Sequence, residues 1–208
     1  MIRNPKIQIF SSIVFTLLAG CLNPVNRYTA GKYYDMGVQA ERNGDLEAAR
    51  EAYRRATLNV DWGNVGPGAK AQTLYEYARV SGYLCYHEEA EKYFKESLTL
   101  QEKDAEVQKS LRPPTLLELS RFYFDTGRKK EALPFYEEGI ALVRPLSPEK
   151  NFPIEFATTL EEYADCLTVV GRNKEAEESK GEAKSIRSAY KGPANDHPFQ
   201  RYNERCGK

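Results

Sequence analysis

Two histidines in 208 residues leave little room for imidazole chemistry. The run His87-Glu88-Glu89-Ala90-Glu91 begins like a zinc-protease helix, but Glu91 stands where the second imidazole is needed one helical turn on. His87 therefore reads as a helix-start residue. The chain also lacks a Gly-x-x-x-x-Gly-Lys-Ser/Thr loop, a Gly-x-Ser-x-Gly elbow and any Cys-x-x-Cys pair. Gly63, Gly66 and Gly68 follow a phosphate-loop spacing, yet no strand precedes them, so the stretch reads as a connector with Trp62 packed on the body. Carboxylates are plentiful, but none forms a distinguishable catalytic pair. The expectation is a non-enzymatic protein with no catalytic residues, no metal site and no cofactor.

Net charge is lacking too: 30 basic residues balance 30 acidic ones, which removes the electrostatic reason to expect nucleic-acid binding. The apolar run from Ile7 to Ala19 is too short for a comfortable membrane span.

What is present is a repeat. Aligned on Ala49, Ala90, Ala132 and Ala176, one pattern returns at intervals of 41, 42 and 44 residues. Five places before each alanine stand Gly44, Cys85, Gly127 and Gly171; four places after it, Tyr53, Phe94, Tyr136 and Lys180; seven after it, Ala56, Ser97, Gly139 and Ala183. Small residues let two helices approach closely, and glycine takes the left-handed backbone where one helix ends and the next begins. Each unit is thus a helical hairpin, and none could bury its apolar face alone.

This pattern resembles the tetratricopeptide repeat, in the long-period variety found in kinesin light chains. The resemblance covers roughly residues 30–190 and implies an all-α fold, a right-handed α-solenoid of about four hairpins. It also implies a concave groove lined by the first helix of each hairpin. Carried over residue by residue, that wall includes Tyr34, Val38 and Arg42, then Tyr75, Arg79 and Tyr83, then Leu117, Arg121 and Phe124, and last Glu161, Asp165 and Thr168. Aromatic rings and arginines carry much of the binding energy at protein interfaces. Of these the partner-binding set is Tyr34, Arg42, Tyr75, Arg79, Tyr83, Leu117, Arg121 and Phe124, with Arg79 and Arg121 placed to receive an acidic group. The competing reading has the same side chains cover the groove with their own stems and ion pairs.

Residues 1–20 read as an export signal: Arg3 and Lys6 give the positive start, and Leu18-Ala19-Gly20-Cys21 resembles the lipobox of bacterial lipoproteins. The resemblance implies that Cys21 becomes a lipidated N-terminus, and Leu22 after it favours the outer membrane. Removing Arg3 and Lys6 with the leader leaves 28 basic against 30 acidic residues. Residues 21–29 would be a lipidated tether, whose eight residues from Leu22 to Thr29 reach at most about 28 Å when extended at about 3.5 Å per residue.

The hairpins are expected near 30–42 and 46–59, 69–83 and 87–110, 114–126 and 129–143, and from 154 onward with a last helix from Lys174 to about Tyr190. Pro113 and Pro114 are expected to divide the second repeat from the third. Lys180 replaces the aromatic of the other repeats, as suits a polar C-terminal cap. The tail, 191–208, has a composition that favours disorder, although Phe199 and Tyr202 offer rings to dock on the last hairpin. Beyond Cys21, the remaining cysteines are Cys85, Cys166 and Cys206; distance along the stack disfavours a Cys85–Cys166 bridge, Cys166–Cys206 is possible, and free thiols are the alternative. The expected role is a lipid-anchored scaffold of the bacterial envelope, facing the periplasm, that binds an envelope protein or peptide in its groove; a peptidoglycan or glycan accessory is the alternative.

Overall fold

The computed structural model describes residues 5–192 and 200–206, with side chains from Pro24 onward. Among these residues the regular structure is helical throughout. In chain order the elements are α1 (Pro5–Arg42), α2 (Leu46–Trp62), α3 (Pro67–Tyr83), α4 (His87–Gln101), α5 (Ala105–Asp125), α6 (Lys129–Val143), a 3-10 turn at Arg144–Leu146, α7 (Pro148–Asn151), α8 (Pro153–Val169) and α9 (Asn173–Ala189).

The hairpins are α1 with α2, α3 with α4, α5 with α6, and α8 with α9, and each packs on the next through α2 on α3, α4 on α5 and α6 on α8. The marker alanines explain why. Ala49, Ala90 and Ala132 are wholly buried and Ala176 nearly so, while Tyr53, Phe94 and Tyr136 fill the space beside them. Close approach is forced at Gly37, where an added Cβ would stand 2.6 Å from the Tyr53 ring. Burying rings of this size stabilises each interface by about 1.5–3 kcal/mol per side chain.

The turns obey the same register. Gly44, Gly127 and Gly171 take φ of 76°, 80° and 80°, and Cys85, at the equivalent place, takes φ 70°. A side chain there costs about 1–2 kcal/mol relative to glycine, so a cysteine at this turn needs a compensating role. Asp45 caps α2 by accepting the Ala48 amide at 3.0 Å.

Four expectations are corrected. Pro113 and Pro114 lie inside α5; the break falls earlier, at 102–104, where Asp104 accepts the amides of Glu106 and Val107. The carbonyls that the prolines leave unpaired belong to Lys109 and Ser110 on the exposed side, where water can serve them. Residues 22–29 continue α1 and are no extended tether: Arg27 donates to the carbonyls of Gly63 and Asn64, both at 3.1 Å. Eight helical residues rise only about 12 Å. Trp62 does not pack on the body but is 65% exposed at the end of α2. The tail is ordered over 200–206, while Phe199 lies outside the described residues. Lys180 is exposed, and α9 buries only Ala176, Ser179 and Ala183, as a terminal hairpin should. Among the described residues no helix is long and apolar enough to cross a membrane.

Candidate peptide-binding face

The first helices of successive hairpins line one face, with α3 meeting α5 and α5 meeting α8. Its N-terminal half is closed by the chain's own polar contacts. Arg79 pairs with Glu41 at 2.6 Å and Glu76 at 2.7 Å. Tyr34 is half-buried, receives a hydrogen bond from Gln72 at 3.2 Å, and sits with its ring 5.7 Å from that of Tyr53. The half-buried Tyr75 lies edge-on to Phe94. Arg42 ends α1 and is exposed.

Arg121 is likewise engaged, donating to Glu118 at 3.0 Å and lying 3.6 Å from Glu162. An acidic ligand on Arg79 and Arg121 is therefore not what this face asks for, since each guanidinium already has carboxylate partners. Leu117 packs against Gly139, where an added Cβ would stand 2.7 Å away, and Phe124 lies under the Lys129 ammonium at 4.4 Å. On the last repeat Glu161 holds Arg187 and Asp165 meets Lys129, while Thr168 is exposed. Val38 packs against the core.

The middle of the face, from the second repeat to the fourth, holds residues 200–206 of the same chain. Tyr202 is fully buried, its ring stacked on Tyr83 at 4.5 Å between centroids and edge-on to Phe122 at 5.3 Å. Its hydroxyl donates to Glu118 Oε1 at 2.6 Å, and its amide donates to Asp125 Oδ2 at 3.0 Å. Arg201 pairs with Asp125 at 3.1 Å and with Glu162, which also accepts the Tyr136 hydroxyl at 2.7 Å. Tyr202 thus docks across the middle of the array, and not on the last hairpin.

Burial dominates the electrostatics. It pushes the Asp125 carboxyl above its ordinary value despite the Tyr202 amide and Arg201. At Glu118 the burial penalty is outweighed by Arg121 and Arg79, together with the tyrosine hydroxyls, and the carboxyl is held below its usual range. The Tyr202 hydroxyl is driven well above its ordinary value by burial and by Glu118. It stays a neutral donor.

Cys206 closes the segment with a disulfide to Cys85, 121 residues earlier. The Cys166–Cys206 pairing is thereby overturned: the tail returns across the face to the turn of the second repeat, and Cys166 remains a buried free thiol in α8. His87 Nε2 lies 3.4 Å from Cys206 Sγ at the start of α4. Cys85, His87 and Cys206 are the one group among the described residues whose ligand atoms cluster closely enough for a metal, and the disulfide occupies both sulfurs.

Glu118, Asp125 and Glu162 are absent from the residues that the sequence singles out for this face. A signal for two of them was there: fourteen places before the marker alanines stand Asp35, Glu76, Glu118 and Glu162, acidic in every repeat.

The tetratricopeptide repeat profile matches residues 113–142. Among solved structures, BtubC (BKLC) from P. vanneervenii is similar at 20% identity and a TM-score of 0.67, over 82% of this chain and 69% of that one. A putative kinesin light chain from Podosopora anserina with nearly identical repeats is similar at 18% identity and a TM-score of 0.56, over 76% of this chain and 75% of that one. No curated protein matches the chain in sequence. Residues 113–142 thus match the tetratricopeptide repeat profile, and the chain has the tetratricopeptide-repeat solenoid fold, with four hairpins in one register.

Proposed function

We propose that the protein is a non-enzymatic scaffold that binds a partner protein or peptide on the face formed by its first helices. The observation that carries this reading is the segment 200–206 already seated there, since a surface that fully buries a tyrosine and pairs an arginine is built to hold peptide. The glycan reading loses its support: the rings of Tyr34, Tyr75 and Tyr83 are engaged by Tyr53, Phe94 and Tyr202.

The scaffold works at a membrane surface, as a lipoprotein of the bacterial envelope anchored through Cys21 and facing the periplasm, with Leu22 favouring the outer membrane. Support comes from the leader pattern and from exposed Val25, Tyr28, Trp62 and Val65 near the anchor end. The Arg27 hydrogen bonds hold the two segments bearing these side chains together. Aromatic side chains with a polar edge suit the interface between headgroups and water.

The test is affinity capture of envelope proteins in detergent with the parent and with an Arg42→Glu, Phe124→Ala variant. Those two residues lie on the face outside its buried ion pairs, whereas reversing Arg79 or Arg121 would confuse binding with folding. The variant should lose partners that the parent retains. Identical partner lists would contradict the reading.

A further inference from the structure

Without Arg201 and Tyr202, the middle of the face would present three carboxylates, on Glu118, Asp125 and Glu162, against the guanidinium of Arg121 and the more distant Arg79, which is already paired with Glu41 and Glu76. With the segment seated, Glu118 and Glu162 are buried residues and the Asp125 side chain is only 4% exposed, so whatever covers this place covers all three carboxylates. Buried acids in excess of their cations are costly. The surroundings therefore ask for a cation. Beside them lies a slot bounded by Tyr83, Phe122 and Gly82, whose missing side chain is what admits a ring: a Cβ at Gly82 would stand 2.6 Å from Tyr202. The slot ends at Glu118 Oε1, an acceptor set to take a phenol hydroxyl.

From this we infer that the seat is a recognition site for a basic residue followed by tyrosine, that segment 200–206 is its tethered stand-in, and that the Cys85–Cys206 bond keeps a partner's Arg–Tyr element out. The inference rests on the scaffold reading and specifies the ligand chemistry. Cysteine rather than glycine at the left-handed turn of the second repeat fits this use, because Cys206 is what the position gains. A dithiol reductant opens the latch by thiol–disulfide exchange. Two electrons and two protons convert the bond to the thiols of Cys85 and Cys206, while the dithiol is oxidised to its own disulfide. The tail then competes only through its tether, at an effective concentration of about millimolar.

The experiment uses the whole chain carrying Arg201→Ala, Tyr202→Ala and Cys206→Ser, which leaves the seat intact and empties it. The probe is a fluorescein-labelled peptide, Gln-Arg-Tyr-Asn-Glu-Arg-Ser, read by polarisation. The emptied chain should bind it at least tenfold more tightly than the oxidised parent. Replacing the peptide's first arginine and its tyrosine by alanine, or adding Gly82→Leu or Asp125→Asn to the chain, should each weaken binding tenfold or more. Helicity by circular dichroism shows whether the emptied chain is folded. If it is not, the parent with and without dithiothreitol carries the test, and the reduced form should bind more tightly. A folded emptied chain that ignores the peptide, or binds the alanine peptide equally well, overturns the ligand chemistry. If the Arg42→Glu, Phe124→Ala variant still loses partners in that case, the scaffold reading stands alone; if it does not, both fall.

Discussion

Tyr83 and Tyr202, far apart in the chain, stack at 4.5 Å and both donate their hydroxyls to one oxygen, Oε1 of Glu118, at 2.9 and 2.6 Å. One residue belongs to the second repeat and the other to the tail, so the contact ties the chain terminus to the middle of the solenoid. Tyr202→Ala empties a fully buried site and should cost about 3–5 kcal/mol, as for other large aromatics. Tyr202→Phe leaves one acceptor short of a donor and should cost about 1–3 kcal/mol. Thermal unfolding of the two variants checks the order. Equal stabilities would mean that the hydroxyl, and not the ring, holds the tail.

Breaking the Cys85–Cys206 bond releases a constraint between residues far apart in sequence. Cys206→Ser should destabilise the domain by about 2–4 kcal/mol. Peptide mapping under non-reducing conditions should join Cys85 to Cys206. Cys166 should resist alkylation until the protein unfolds, because it is wholly buried and burial pushes its thiol up to about 12. Rapid modification of Cys166 in the folded protein would contradict the packing of α8.

The hydrogen bond from Arg128, reinforced by Lys95 and Tyr123, holds the Glu91 carboxyl at about 2 against an ordinary 4.5. A carboxyl depressed in the folded state contributes stability that is fully present above its unfolded value and is lost as pH falls through the folded one. The loss should therefore run from about 4.5 down to about 2. Denaturant unfolding of Glu91→Gln across that range should show a flatter acid limb than the parent. Parallel limbs would remove Glu91 from the inter-repeat link.

Much of the fold was legible from residue spacing, because the cause of each turn and close approach is local. Glycine at 44, 127 and 171 and alanine at 49, 90 and 132 act through their own size and backbone. The break before α5 was harder: two adjacent prolines look decisive, yet capping by Asp104 and the exposed carbonyls of Lys109 and Ser110 let the helix pass through them. The site was half legible. Its aromatic and arginine residues stood out, but their partners come from distant turns of the chain, so the sign of the charge that the face wants was hidden. The register of Glu76, Glu118 and Glu162 carried that information. The return of Cys206 to Cys85 could not be read at all, since the path of a tail depends on a tertiary contact, here the Tyr202 slot.

Trp62 is exposed at the end of α2, so Trp62→Ala should leave stability within about 0.5 kcal/mol. At a membrane surface its ring would lie among headgroups, so the same variant should partition less into liposomes than the parent, and Cys21→Ser should abolish stable attachment. Unchanged partitioning of Cys21→Ser would end the anchor proposal and leave the scaffold without a fixed place.

The most direct measurement is amide hydrogen exchange at residues 200–206 of the oxidised protein, since the account depends on this segment being seated on the first-helix face. The Tyr202 amide, bonded to Asp125 Oδ2 at 3.0 Å, should exchange far more slowly than in the free peptide and lose that protection in Gly82→Leu. Exchange at the free-peptide rate in the oxidised parent would contradict the account.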